Sequence, residues 1–272
     1  MSINATAQAL KALHVPSAPL ILANIWDISS INVLTSLNSS PGSGPVKAIA
    51  TASWAIAAAN GIPDEELNQD QNLEAVSRIA PLAAKAGLPL SADLQDGYGD
   101  KIADTVRRAV KLGVVGANIE DSIPSAGFNK GISGSLYSLE EQVNRLRFAM
   151  QAAADEGCPD FALNARCDAF VLSPSPELTD EVRLEAAITR GKAFLELGAT
   201  TVFYWGPALG KAHIERLVQE LGGRVAIQAG AVPGMTIKDL AQLGVARISV
   251  GPSMYRSAMN TIREEALKLL QG

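Results

Sequence analysis

The sequence predicts a single-domain (β/α)8 barrel of TIM type, and three observations carry that prediction. Eight short, β-rich apolar runs recur along the chain, with segments of helical period between them. The length of 272 residues sits close to the roughly 250 typical of such a barrel. The rival architecture, a doubly wound open sheet, calls for a Gly-rich phosphate turn after its first strand, and "LANIWDISSINV" has none.

The elements follow in order. "ATAQALKAL" reads as a short amphipathic helix within an N-terminal extension over 1–18. The eight strands are "PLILANIW", "KAIATAS", "PLSADLQ", "GANIED", "FALNARCDAF", "TTVFYWG", "VAIQAG" and "RISVGP". Between and after them lie the helical segments "NLEAVSRIAPLAAKAG", "IADTVRRAVKLG", "SLEEQVNRLRFAMQAAADEG", "DEVRLEAAITRGKAFLELG", "KAHIERLVQELGG", "TIKDLAQLG" and "MYRSAMNTIREEALKLLQ". Many end on glycine, as at Gly87, Gly113, Gly157, Gly198 and Gly244, where a left-handed C-cap is least costly. Ser138 and Glu141 have the spacing of a capping box. The Gly-rich "SSPGSGPVK" reads as an exposed loop.

Composition narrows the function classes. With 47% hydrophobic and 19% charged residues, the chain can fill one large core, so 1–272 is expected to be one domain. A net charge of −5 with scattered basic residues excludes a nucleic-acid surface. No stretch of about 18 apolar residues occurs, which argues against a membrane partner. Two cysteines, Cys158 and Cys167, are too few for a disulfide framework and fit a reducing compartment. No signal peptide is evident, the "LLQG" ending is not a peroxisomal address, and a cytoplasmic location is expected.

In a parallel barrel, polar residues at the C-terminal strand ends meet in one mouth. That rule selects Trp26 and Asp27, Ser53 and Trp54, Asp93 and Gln95, Glu120 and Asp121, Asn164 and Arg166, Tyr204 and Trp205, and Gln228. Carboxylates on neighbouring strands repel unless a cation compensates, and oxygen-only donors favour Mg²⁺ or Mn²⁺ over zinc. The two histidines, His14 and His213, lie in helical segments, away from the strand ends. The bland readings are a turn cap for Asp93, a salt-bridged core acid for Glu120 and core packing for Trp26, Trp54 and Trp205. Arg166 requires an anionic partner, either Glu120 or a substrate carboxylate.

"TASWAIAAANGIPDEE", "SADLQDGYGD", "GANIEDS", "LNARCDAF" and "GVARISVGPSMYR" together resemble the isocitrate lyase and phosphoenolpyruvate mutase superfamily, in particular its short phosphonomutase-like members. The resemblance implies a (β/α)8 barrel that binds Mg²⁺ and a small 2-oxo or 2-hydroxy carboxylate. It also implies a homo-oligomer, a dimer or tetramer, whose eighth helix is swapped between subunits. The last helix has an apolar face that suits its own barrel or a neighbour's equally. Carried over by position, Ser53, Trp54 and Ala55 match the substrate-carboxylate binders and Asp64 an acid that contacts metal-bound water. Asp93 matches the metal-ligating aspartate, Glu120 the outer metal shell, and Arg166 the arginine that stabilises developing negative charge. Gln95 completes the candidate metal set of Asp93, Gln95, Asp64 and Glu120; Trp26, Asn164, Trp205 and Gln228 complete the candidate substrate contacts.

Two departures from the family pattern shape the expected chemistry. Gln95 stands where the family often has a second carboxylate, which weakens metal binding unless Asp96 or a substrate oxygen fills the place. The loop after Glu120, "DSIPSAGFNKGISGSLYS", lacks the cysteine and histidine of the isocitrate and methylisocitrate lyases. Long and Gly-rich, it reads as a gating loop over 122–137, with Asn129 and Lys130 as either substrate contacts or a solvated tip. A cysteine-free loop favours a carbon–carbon lyase on a small oxo-dicarboxylate, with decarboxylation as its simplest form because no base is needed to begin. Tyr98, Glu120 or metal-bound water would serve a retro-aldol version. The alternatives are P–C chemistry on phosphonopyruvate, weakened by Trp205 where the mutases have histidine, and a degraded barrel that only binds a metabolite or partner.

Overall fold

The computed structural model describes residues 2–40 and 43–271. Among them nine parallel strands form one sheet: β1 (Leu20–Leu22), β2 (Asn24–Ile25), β3 (Ile49–Thr51), β4 (Leu90–Asp93), β5 (Val114–Glu120), β6 (Ala162–Arg166), β7 (Thr201–Tyr204), β8 (Val225–Gln228) and β9 (Arg247–Ser249). β1 and β2 are two halves of the first expected strand, interrupted at Ala23. The first half pairs with β9 through Leu22 and Ser249, the second with β3 through Asn24 and Ala50. The sheet thus curls back on itself through one chain segment, and the nine pieces amount to the eight strands of a (β/α)8 barrel.

The helices are α1 (Ile3–Ala12), α2 (Ile28–Thr35), α3 (Ser53–Ala59), α4 (Gln69–Lys85), α5 (Ile102–Lys111), α6 (Gly131–Ser135), α7 (Leu139–Asp155), α8 (Asp180–Leu197), α9 (Lys211–Glu220), α10 (Ile237–Leu243) and α11 (Ser253–Gln271). Every strand-linked helix expected from periodicity is present. α2 and α3 were not expected, because eight and seven residues are too few for a helical period to stand out. α2 is nevertheless closed at its start by a reciprocal cap between Asp27 and Ser30. At α7 the expected box is half made: the Ser138 hydroxyl accepts from the Glu141 N–H. None of the helices among the described residues is long and apolar enough to cross a membrane.

Because helices cover the outside of a parallel sheet and side chains fill its inside, its strands are apolar on both faces. β5 shows this along its length, buried from Val114 to Ile119. The N-terminal end of the barrel is closed by α1, whose Ala7 and Leu10 are fully buried. Gly116 makes that closure possible: a Cβ there would lie 2.7 Å from the Ala162 carbonyl oxygen and 3.0 Å from Leu10. Asp160 pins α1 from outside, accepting from Asn4 at 3.0 Å and Gln8 at 2.8 Å.

At the opposite end, the segment 122–137 is a folded cover. Ser122 bridges to Leu136, and the Ser173 N–H donates to the Phe128 carbonyl at 2.7 Å. Ile132 and Leu136 pack with Leu172 and Leu178 in a small apolar cluster of their own. α11 has no buried residue and leaves Met259, Ile262, Leu267, Leu269 and Leu270 exposed. Of the Gly-rich segment expected as a loop, Pro41 and Gly42 lie outside the described residues.

Candidate active site

Strand register decides which side chains meet. Asp93 is level with Asn118, Asn118 with Asn164 and Asn164 with Thr201; one step higher, Glu120 is level with Arg166 and Arg166 with Phe203. Above these rows, at the C-terminal strand ends, opens a cavity of ≈ 530 Å³. Its floor and walls are Asn24, Asp93, Asn118, Glu120, Arg166, Gln228 and Ser249, with Ser53, Trp54, Asp64 and Gln95 on one side and Phe203 and Trp205 on the other. Ile123, Pro124, Gly127 and Phe128 of the cover close over it, and Arg256 at the start of α11 stands at the rim.

Arg166 is the electrostatic centre. Its Nε and Nη2 donate to the two oxygens of Asp168 at 2.6 and 2.9 Å, and Nη1 pairs with Glu120 Oε2. Trp205 donates its indole N–H to Asp168 at 2.8 Å and lies under the guanidinium, 4.9 Å from ring centroid to Cζ. Burial opposes the Arg166 charge, but Asp168 and Glu120 hold its pKa above the ordinary arginine value. Burial pushes Glu120 well above the usual carboxylate range, against the pull of Arg166. Behind this pair Asp121 takes the Asp168 N–H at 2.9 Å and Arg190 at 3.0 Å, fixing the loop that carries Asp168.

The second cluster is acidic. Asp93 Oδ2 accepts both the N–H and the hydroxyl of Ser53 at 3.0 Å, and Oδ1 has no hydrogen-bond partner among the described residues. Gln95 donates its amide N–H to the Asp64 carbonyl at 2.8 Å and to Asp64 Oδ1 at 3.0 Å. Desolvation, then the nearby Asp93 charge, raises Asp64 to about 6. Asp64, Asp93 and Asp168 all raise Glu120, Asp93 raises Asp64, and Arg166 offsets the charge at both, so the acids crowd one side of the site. Among the described residues no three His, Cys, Asp or Glu side chains converge to enclose a metal. The donor set fits a hydrated Mg²⁺, which keeps several waters and takes one or two carboxylates. Asp93 Oδ1 is the direct donor, with Asp64, Gln95 and Glu120 placed around it.

The other sequence-predicted positions separate clearly. Gln228, Trp54 and Trp205 line the cavity, whereas Trp26, Ala55, Tyr98, Asn129 and Asn164 do not. Trp26 packs behind the wall, edge-on to Tyr255 at 5.0 Å. The Ala55 N–H bonds to the Ala52 carbonyl and that of Ser53 to Asp93, so of the three expected carboxylate binders only Trp54 keeps an unengaged N–H among the described residues. Tyr98 is turned away: its hydroxyl bonds to Asn72 at 2.7 Å and burial raises its pKa, which removes it as a base. Asn164, level with Asn118, does not reach the cavity and is bonded to Asn118 and Thr201. Asp96 is 2% exposed and committed to the N–H groups of Tyr98 and Gly99, to Tyr137 and to Arg145, so it does not fill the place left by Gln95. Cys167 is buried, and that burial raises its thiol pKa well above the ordinary value, in keeping with a packed thiol.

Sequence reasoning missed Asp168, Asn118, Ser122 and Arg256. Asp168 was within reach: a strand ending in arginine followed two residues later by an acid is a local ion pair waiting for a turn. Ser122, two residues past Glu120, donates its hydroxyl to Glu120 at 3.1 Å, again a local contact.

The comparisons agree with this geometry. Residues 10–270 match the family model of phosphoenolpyruvate phosphomutase. The chain is 28% identical over 281 residues to the 2-methylisocitrate lyase of Escherichia coli strain K12, covering all of this chain and 86% of that one. It is 30% identical over 191 residues to the oxaloacetate decarboxylase of Ectopseudomonas mendocina strain ymp, covering 68% of this chain and 60% of that one. The crystal structure of a phosphonomutase-like protein from Burkholderia cenocepacia J2315 superposes with a TM-score of 0.82 at 33% identity, with full coverage of both chains. A parallel barrel with its acids and one arginine gathered at the C-terminal strand ends, matched over nearly its whole length, belongs to the phosphoenolpyruvate phosphomutase family.

Proposed function

We propose that the protein is a carbon–carbon lyase acting on a small 2-oxo or 2-hydroxy dicarboxylate through an enolate, with decarboxylation of an oxaloacetate-like diacid as its reaction. One observation carries the choice. The described residues that line the cavity include arginines and carboxyl groups but no cysteine, histidine, lysine or tyrosine. Such a site offers only carboxylates as bases, whereas its arginine can stabilise the charge left when carbon dioxide departs without any base to begin.

Arg166 binds and orients the substrate. A guanidinium has five N–H donors; Asp168 and Glu120 engage three, at Nε, Nη2 and Nη1, and the rest are free for a substrate carboxylate or the developing oxyanion. Because Asp168 and Trp205 hold the group from behind, it meets that charge without reorganising, which is where differential stabilisation arises. The enolate then needs one proton. Asp64 and Glu120, whose carboxyl groups burial raises above the usual carboxylate range, are the acids on the wall placed to deliver it. The folded cover, with Phe128 over the opening, keeps bulk water from the carbanion. Asp93, with Asp64, Gln95 and Glu120, would hold Mg²⁺ (or Mn²⁺), which would supply Lewis-acid polarisation of the substrate oxygens.

α11 serves assembly in this reading. Its exposed Met259, Ile262, Leu267, Leu269 and Leu270 are covered by a second copy in a homodimer or homotetramer, by exchange of the helix or by side-to-side packing. The deciding experiment is Mg²⁺-dependent pyruvate release from a panel of oxaloacetate, alkylated malates, methylisocitrate and phosphonopyruvate. Turnover of oxaloacetate, abolished by Asp93→Ala, is the expected result. Turnover of phosphonopyruvate alone would replace the reading with P–C chemistry.

A further inference from the structure

Beneath the cavity floor lies a guanidinium bonded only to neutral groups. Arg247 on β9 is 1% exposed; its Nε reaches Ser249 Oγ at 3.2 Å, its Nη2 reaches Asn118 Oδ1 at 3.0 Å, and its Nη1 finds no partner among the described residues. Burial lowers its pKa to about 9, against the opposing pull of Asp93. A buried charge so sparsely compensated weakens a fold. Its place on the inner face of the barrel therefore points to work at the site above.

Asn118 is the residue through which that work passes. Its Oδ1 also accepts from Asn164 Nδ2 at 2.6 Å, and Asn164 Oδ1 in turn accepts the Thr201 hydroxyl at 2.6 Å. A guanidinium can only donate, so the Asn118 atom facing it is the carbonyl oxygen and the carboxamide has one orientation. Its Nδ2 is left for the cavity that Asn118 lines, two residues before Glu120 on the same strand, and this NH₂ has no partner among the described residues.

We propose that Asn118 binds substrate as a fixed N–H donor on the cavity floor, directed at an oxygen of the planar 2-oxo acid, and that Arg247 is the positioning residue that holds it so. The proposal rests on the lyase reading and adds to it a specificity element. A donor locked from below donates to an oxo or carboxylate oxygen but opposes an ammonium group in the same place, so 2-oxo acids are selected over their 2-amino counterparts.

The test is Asn118→Asp, which keeps the side-chain shape. A carboxylate gives Arg247 the counter-charge it lacks, so the variant should melt at or above the wild-type temperature. Its cavity-facing atom, however, changes from a donor to an anionic acceptor. Pyruvate release should then fall by about 100-fold in kcat/KM, as for loss of one fixed donor. Binding of oxalate, a planar two-carbon mimic of the enolate, measured by calorimetry with Mg²⁺ present, should weaken at least about tenfold. A folded variant with both values within about twofold of wild type overturns the proposal. If Asn118→Asp does not fold, Asn118→Ala carries the same expectation for oxalate. Arg247→Lys, which keeps a donor to Asn118, should hold more activity than Arg247→Met; equal activity in the two would remove Arg247 from the argument. A wild-type protein that neither releases pyruvate nor binds oxalate sinks the lyase reading itself, and this inference with it. An active wild type beside an equally active Asn118→Asp sinks the inference alone.

Discussion

Asp168→Asn is the sharpest probe of how the site is held. Asp168 is fully buried and gives both oxygens to Arg166, at 2.6 and 2.9 Å, while one of them also takes the Trp205 indole N–H at 2.8 Å. The amide keeps the shape, removes the charge and turns one acceptor into an NH₂ facing the guanidinium. Breaking a buried pair on one side costs about 3–5 kcal/mol. Glu120 remains as a partner, so the lower end, about 3 kcal/mol, is the expected loss. For a chain of this size that lowers the melting temperature by roughly 6–12 °C, read by scanning calorimetry. The released Arg166 no longer meets the oxyanion preorganised, and kcat/KM for pyruvate release should fall about 100-fold. Trp205→Phe, which removes one hydrogen bond to the same carboxylate and shrinks the ring under the guanidinium, should cost about 2 kcal/mol. An Asp168→Asn protein within about 2 °C and twofold of wild type would show that Arg166 needs no support from behind, and the account of the site would fail.

Other outcomes follow from the acidic cluster and the last helix. Gln95→Asp should lower the melting temperature without metal, by adding a like charge beside Asp64 and Asp93, and should tighten Mg²⁺ binding in calorimetry; unchanged affinity would place the metal elsewhere. The Asp64 carboxyl is raised in the fold, so the native state binds more protons than the unfolded chain between about pH 4 and 6, and stability falls as pH rises through that window. Asp64→Asn should therefore out-melt wild type at pH 7.5, with the gap closing near pH 4; a gap independent of pH would contradict the assignment. Leu269→Glu with Leu270→Glu should shift the mass measured by light scattering towards the monomer, whereas an unchanged oligomer would exclude this end of α11 from the interface.

By itself the sequence determined the architecture and the acids of the mouth. Apolar runs separated by helical periods specify a parallel barrel because both faces of such strands are buried, and the point where the run ends marks the mouth. Asp93, Glu120, Arg166 and Trp205 were legible for that reason. What a linear pattern lacks is the direction and occupancy of each donor. Ser53 and Asp93 satisfy each other across forty residues, Tyr98 turns to Asn72 in a left-handed conformation at φ 64°, and Asn164 is spent on Asn118 and Thr201. Only the closed sheet brings Arg247 of the last strand across the barrel to Asn118 of β5, 129 residues earlier. Strand order and register set those contacts, and they depend on every strand between, which is why no local segment could announce them.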